Sequence, residues 1–330
     1  MSKIGIIGAG AWGTALASVV ARAGNEVILQ AHEKEVAKSI NKAHENTLFL
    51  PGHELDPMIR ATTKINDATD VDAVLLAAPA QHLRAVTESA RDDWPDDVPA
   101  IICAKGIEQD SCALMSEVVA ETLPRAPVAI LSGPTFAGEV AGNKPTAVTL
   151  ACKNEMITKV LMETLSTDRF RIYRSMDVVG AQIGGAVKNV LAIACGIVEG
   201  RSLGDNARAA LVTRGLAEII RLGAAKGARP ETLAGLSGLG DLTLTCNAMQ
   251  SRNFSLGVAL GEGQSLDEIM AGRNSIAEGV LTAVSVTDLA RKLGIDLPIC
   301  TAVDGVLHHY ADIDATISGL LSRPLKEETA

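Results

Sequence analysis

The chain opens with short apolar runs bounded by glycine and polar residues. Residues 3–8 and 26–31 have strand character and flank a helix-compatible stretch at 12–23. This spacing predicts a βαβ unit: parallel strands need a crossover, and the implied loops are of ordinary length. Strand-like runs recur at 73–78, 100–104, 128–131, 147–151 and 170–173, with helix-like stretches at 81–90, 111–122 and 154–165. Such alternation predicts an open, mostly parallel, doubly wound sheet with helices on both faces.

Past about residue 176 the strand-like runs stop. Helix-compatible stretches follow at 178–198, 207–225, 251–260, 277–293 and 301–309. The expected fold class is therefore α/β plus all-α, with a dinucleotide-binding type of sheet domain over 1–177 and an all-helical domain over 178–330. No low-complexity linker separates them, so close packing is expected, and no internal repeat is evident. The run 178–198 has the length of a membrane span. It contains Gln182, Lys188, Asn189 and four glycines, and a mid-bilayer lysine is disfavoured by about 2.5–3.5 kcal/mol. It reads as a buried helix of a soluble core, with no stable membrane span.

A chain of 330 residues fits two domains. Only 2% of it is aromatic, so its core is aliphatic. With 30 basic and 39 acidic residues the net charge is −9, which excludes a broad nucleic-acid surface. Six cysteines lack any CxxC spacing and read as buried reduced thiols of a cytosolic protein. His44, His53, His82, His308 and His309 show no metal-ligand spacing, so no metal is expected. The first residues run straight into a strand pattern with no signal-peptide character, and a cytoplasmic location is expected.

The first motif with chemistry is Gly8-Ala9-Gly10-Ala11-Trp12-Gly13. It follows a predicted strand and opens a predicted helix, the context of a dinucleotide fingerprint. Gly8 permits the turn, Gly10 admits a pyrophosphate, and Gly13 lets helix and strand pack. Gln30-Ala31-His32-Glu33-Lys34 ends the second strand. Glu33 could hold ribose hydroxyls, while His32 and Lys34 could receive a 2′-phosphate, so NAD and NADP both stay open.

Lys188 is the one charged residue in its apolar run, so it is paired, at a cavity edge, or poised for proton transfer. Lys105, in Ala104-Lys105-Gly106, and the segment Ser132-Gly133-Pro134-Thr135-Phe136-Ala137-Gly138-Glu139 follow strand ends, where doubly wound folds bind ligands. A polar segment from Gly235 to Asp241, continuing through Thr243, Thr245 and Asn247 to Ser251-Arg252-Asn253, reads as an anion cradle. Ile276-Ala277-Glu278-Gly279 places a carboxylate at a helix start, a common stabilising position.

Taken together, these segments resemble the bacterial-type NAD(P)-dependent glycerol-3-phosphate dehydrogenase family. The resemblance rests on GAGAWGTALA at 8–17, FLPG at 49–52, AKGIE at 104–108 and SGPTFAGEVA at 132–141. It continues with GGAVKNVLAIACGI at 184–197, RGLAEI at 214–219, GLSGLGDLTLTC at 235–246, QSRN at 250–253 and AEG at 277–279. It implies a Rossmann-type domain followed by a helical one, and reversible hydride transfer between sn-glycerol 3-phosphate and dihydroxyacetone phosphate. The product feeds glycerophospholipid synthesis. By position it makes Lys188 the proton donor and acceptor. It puts Lys105, Gly133, Thr135, Asp241, Ser251, Arg252 and Asn253 at the substrate. Ala11, Trp12, His32, Lys105, Ala137, Arg252, Ile276 and Glu278 would face NAD or NADP. Two positions depart from the pattern: Ala11 stands where Ser is frequent, and Gln30 where Trp is common.

The alternatives are a related 3-hydroxyacid dehydrogenase, which shares the fingerprint and a helix lysine, and a redox-sensing dinucleotide-binding module, which would need neither Lys188 nor Arg252. The expected partners are small-molecule substrates and a second copy in a homodimer.

Overall fold

The computed structural model describes residues 1–272, 277–325 and 327. Its first βαβ unit is β1 (Lys3–Ile7), α1 (Ala11–Arg22) and β2 (Glu26–Gln30). After α2 (Lys34–Ala43) come the short hairpin strands β3 (Glu45–Asn46) and β4 (Leu50–Glu54), then β5 (Ile59–Thr62) and β6 (Ala73–Leu76). Next are α3 (Leu83–Ala90), β7 (Ala100–Ile102), α4 (Met115–Thr122), β8 (Val128–Ser132) and α5 (Ala137–Ala141). The sheet finishes with β9 (Thr146–Cys152), α6 (Glu155–Leu165) and β10 (Phe170–Ser175).

Among the described residues, eight strands form one sheet in the order β10-β9-β8-β7-β6-β1-β2-β5. From β5 to β8 every pairing is parallel, β9 runs antiparallel to β8, and β10 is parallel to β9. Each of the seven predicted strand runs is a strand of this sheet. β5 and the β3–β4 hairpin were not predicted. β5 is a four-residue edge strand that carries Arg60 and Thr62, so it lacks the apolar run that marks the inner strands. The winding reverses between β1 and β6, and ligands of open α/β sheets bind outside the carboxyl ends of the strands at such a switch point.

Helices then continue to the end of the described chain. They are α7 (Val178–Gly200), α8 (Asp205–Ala225), α9 (Pro230–Leu233), a single π turn at Leu236–Gly240 and α10 (Asp241–Thr245). They continue with α11 (Arg252–Gly261), α12 (Leu266–Ala271), α13 (Glu278–Leu293), α14 (Pro298–His308) and α15 (Ile313–Leu321). α7 is long and apolar enough to cross a membrane, yet its most apolar window is wholly buried inside the protein. It is the axis around which α8, α10, α11, α13 and α14 pack. Its contact with α11 is backbone-close: a Cβ on Gly257 would lie 2.1 Å from the Ile193 carbonyl oxygen, and one on Gly196 would lie 2.1 Å from that of Phe254. A helix so enclosed can be apolar on every face.

Two helix starts differ from the sequence pattern by three residues or more. α4 begins at Met115 rather than 111, because Ile107 and Leu114 form a β-bridge that holds the preceding turn. α14 begins at Pro298 rather than 301. Proline suits a first helical position, and the buried Glu218 carboxylate accepts the N–H groups of Ile299 (2.6 Å) and Cys300 (3.1 Å). All six cysteines are free and buried.

Candidate active site

The glycine fingerprint lies at the switch point. Gly8 follows β1 with φ of 106°, and a Cβ there would lie 2.7 Å from the Ala78 nitrogen beyond β6. A Cβ on Gly13 would meet the Gly8 carbonyl oxygen at 1.8 Å. These two glycines are required by the protein's own packing. Gly10 is different: a Cβ there would meet nothing within 4 Å. Its missing side chain leaves room outside the protein, at the N-terminus of α1, where amide groups and the helix dipole favour phosphate. Trp12 Nε1 is a buried donor without a protein partner at the same helix start. These features fit a dinucleotide pyrophosphate.

Ala11 and Trp12 form the first turn of α1, and Ala137 starts α5, which packs against α1. His32 is exposed beyond β2 on the same edge of the sheet, and half-buried Glu33 directly precedes α2 without a side-chain cap bond. Neither shares a hydrogen bond with the lysines described next. Glu278, the first residue of α13, accepts the Ala80 N–H at 3.2 Å and so joins the helical region to the turn after β6. Burial pushes its carboxyl up, against the opposing pull of the Ala80 N–H and the Arg252 charge. Its Oε2 is buried without a partner. Ile276 lies outside the described residues.

Next to this crevice two lysines share one carboxylate. Lys105 follows β7, and its Nζ lies 2.5 Å from Asp241 Oδ2 and donates to the Gly133 carbonyl at 2.9 Å. Lys188, in the middle of α7, has its Nζ 3.0 Å from Asp241 Oδ1 and donates to Thr245 Oγ1 at 2.8 Å. Thr245 Oγ1 donates to the Asp241 carbonyl one turn earlier. Asp241 is fully buried and Lys188 is 7% exposed.

Burial lowers the Lys188 pKa to about 8, against the raising influence of Asp241; the Lys105 charge lowers it further. Burial pushes the Asp241 carboxyl up, but the Lys105 and Lys188 ammoniums outweigh it and hold Asp241 below the usual carboxylate range. The arrangement is a buried ammonium that can part with its proton near neutral pH beside one fixed anion.

Of the other expected substrate residues, Thr135 and Asn253 are linked to this cluster by hydrogen bonds, and Ser251 and Arg252 precede Asn253 at the start of α11. Thr135 Oγ1 donates to the Gly133 carbonyl, the acceptor of Lys105, at 3.2 Å. Ser251 caps α11 by accepting the Phe254 N–H, and exposed Arg252 is the first residue of that helix. Buried Asn253 donates to Asn189 Oδ1 at 2.9 Å and accepts the Gly279 N–H at 2.9 Å. Asn189 in turn donates to the Lys105 carbonyl at 3.4 Å.

Asn189 was not singled out from the sequence, although a polar residue next to Lys188 in an apolar run was a visible signal. Thr245 was read only as part of the polar segment. Ala80 carries no such signal, because it acts through its backbone.

Comparisons with known proteins cover both regions. The family model described as NAD-dependent glycerol-3-phosphate dehydrogenase N-terminus matches residues 3–158, and the one for the C-terminus matches residues 177–318. The chain is 60% identical over 329 residues to a protein of Rhodospirillum rubrum named glycerol-3-phosphate dehydrogenase [NAD(P)+], covering 99% of this chain and 94% of that one. A protein of the same name from Caulobacter vibrioides is 56% identical, covering 99% and 98%. Among solved structures, glycerol-3-phosphate dehydrogenase of Coxiella burnetii superposes with a TM-score of 0.94 at 40% identity, covering 98% of this chain and 99% of that one. With both halves matched, and relatives this similar along nearly the whole length, the chain belongs to the NAD-dependent glycerol-3-phosphate dehydrogenase family.

Proposed function

We propose that this chain catalyses the reversible NAD(P)-dependent interconversion of sn-glycerol 3-phosphate and dihydroxyacetone phosphate, and so supplies the backbone of glycerophospholipids. Beyond family membership, the observation that carries the reading is the buried Lys188 ammonium, held by Asp241 and Thr245 next to a dinucleotide crevice.

Residues 1–177 hold the dinucleotide, and 178–330 contribute Lys188 and the phosphate cradle. A bound nicotinamide dinucleotide supplies or takes up the hydride. Lys188 Nζ gives its proton to the substrate carbonyl oxygen as negative charge grows there, and takes it back in the oxidative direction. Lys105 presents a second ammonium to the same oxygen. Asp241 keeps the two cations together, lessening the repulsion between like charges. Arg252 engages the substrate phosphate through its planar fork, with Ser251 and Asn253 beside it. Gly133 and Thr135 border the substrate on the sheet side. Gly10, Ala11 and Trp12 would receive the pyrophosphate, His32 would lie on the adenosine side, and Ala137 and Glu278 would complete the dinucleotide site among the described residues.

The substrates are small and water-soluble, and among the described residues the one helix long and apolar enough to span a membrane is enclosed by protein, which supports a cytoplasmic enzyme. A two-fold homodimer is the proposed assembly, the commonest arrangement among soluble oligomers. The test is an initial-rate assay of NADH and NADPH oxidation with dihydroxyacetone phosphate beside 3-oxoacids. Turnover with the phosphorylated ketone is expected. Turnover with a 3-oxoacid alone would overturn the assignment in favour of a 3-hydroxyacid dehydrogenase.

A further inference from the structure

We infer that Asn46 is a positioning residue for the dinucleotide: it sets the direction in which the fingerprint turn presents its amide. Asn46 belongs to the β3–β4 hairpin between α2 and β5, and it is completely buried. Its Nδ2 donates to the Ala9 carbonyl at 2.9 Å and to Thr14 Oγ1 at 2.8 Å, while its Oδ1 accepts the Phe49 N–H at 3.1 Å. Thr14 Oγ1 lies 3.4 Å from the same Ala9 carbonyl and donates to it. Two side-chain donors, one from the hairpin and one from the first turn of α1, therefore converge on one carbonyl oxygen.

That carbonyl belongs to the peptide unit joining Ala9 to Gly10. In a trans peptide the C=O and the following N–H point in opposite directions within one plane. Anchoring the Ala9 oxygen inward fixes the Gly10 N–H outward. Among the described residues no protein group accepts that N–H. It points from the residue whose Cβ position is open, the place assigned to the pyrophosphate.

Glycine-rich backbone is otherwise free to turn its peptide planes over, and a turned plane would aim a carbonyl oxygen at the phosphates. The Asn46 amide suppresses that alternative before any ligand arrives. It also gives the hairpin, which supplies none of the residues of the lysine–carboxylate cluster, a role in cofactor affinity. The Phe49 N–H bond explains how the amide is oriented: its acceptor end is taken by the hairpin, so its donor end must face the turn.

The inference rests on the dinucleotide reading above, and the experiment separates the two. Asn46→Ala removes the donor. Asn46→Asp keeps the shape and the acceptor for Phe49 but cannot donate when ionised. Thr14→Val removes the second donor from a different element. Dissociation constants for NADH, NADPH and ADP are measured by fluorescence and competition, together with the KM for dihydroxyacetone phosphate at saturating NADH. Amide hydrogen exchange is followed over residues 8–14 without ligand. A lost hydrogen bond of this kind costs roughly tenfold in binding.

We expect Asn46→Ala and Asn46→Asp to weaken all three nucleotides by roughly tenfold or more. The NADH-to-NADPH ratio stays constant because the pyrophosphate is common to both, the substrate KM stays within about twofold, and exchange over 8–14 becomes faster. Thr14→Val should act in the same sense with a smaller effect. Unchanged nucleotide affinity in the variants, or a loss that falls on substrate KM instead, would overturn the role of Asn46. Failure of the parent protein to bind NADH, NADPH or ADP would overturn the dinucleotide reading itself.

Discussion

Lys105 and Asp241 are 136 residues apart in the chain and 2.5 Å apart in the fold. The same carboxylate lies 3.0 Å from Lys188, so one buried anion ties the end of a sheet strand to the central helix. Two ammoniums this close would otherwise repel each other, and the predictions below turn on that compensation.

Lys188→Ala should remove most turnover while leaving nucleotide binding largely intact. General acid–base catalysis contributes about 10²–10⁴-fold, and a loss of that size in kcat is expected with NADH affinity changed less than about threefold. Stopped-flow turnover and fluorescence titration read the two quantities separately. A variant that keeps more than half of the parent kcat would remove Lys188 from the proton-transfer role.

The two directions should respond oppositely to pH. With its pKa at about 8, Lys188 is an ammonium below that pH and a free amine above it. Reduction of dihydroxyacetone phosphate needs the proton on Lys188, so its kcat/KM should fall as pH rises through about 8. Oxidation of glycerol 3-phosphate needs the amine and should rise over the same range. Asp241→Asn removes the charge that favours the ammonium, so both inflections should move to lower pH. Movement to higher pH would contradict this account.

Arg252→Ala should lower kcat/KM for dihydroxyacetone phosphate by roughly tenfold to several hundredfold, since charge-assisted hydrogen bonds are worth about 1.5–3 kcal/mol each. Arg252→Lys should recover only part, because a lysine offers a point charge rather than a fork. The diagnostic comparison is dihydroxyacetone phosphate against dihydroxyacetone. The parent enzyme should strongly prefer the phosphorylated form, and the preference should shrink in Arg252→Ala. A constant ratio of kcat/KM would show that Arg252 does not read the phosphate.

Both NADH and NADPH should support turnover, since His32, Glu33 and Lys34 offer both signs of charge beyond β2. Glu33→Arg should shift the kcat/KM ratio towards NADPH. A shift towards NADH would place the 2′-phosphate away from this segment.

Much of the fold and part of the site were legible from local pattern. Apolar runs located the inner strands, because a strand buried on both faces must be apolar throughout. The glycine fingerprint, with its strand before and helix after, located the dinucleotide end. Lys188 stood out because an unpartnered ammonium in an apolar helix is costly, so it announced a partner without naming one. Lys105 stood out past a strand end and Arg252 in a polar, anion-binding segment; the family resemblance gave them, and Asp241, their roles at the substrate.

Other features were decided only by tertiary structure. Residues 59–62 become a strand because β2 offers them an edge. α14 starts three residues early because Glu218, from α8, meets its first amides. Asn46 reaches Ala9, and Asp241 reaches both lysines, only after distant elements pack. Periodicity and turn chemistry are properties of neighbours in sequence, whereas hydrogen bonds between distant segments exist only once the backbone has brought them within reach. The local pattern of this chain therefore determined the inner strands and the long helices, and where a buried cation would need company. The fold alone determined which carboxylate answers it.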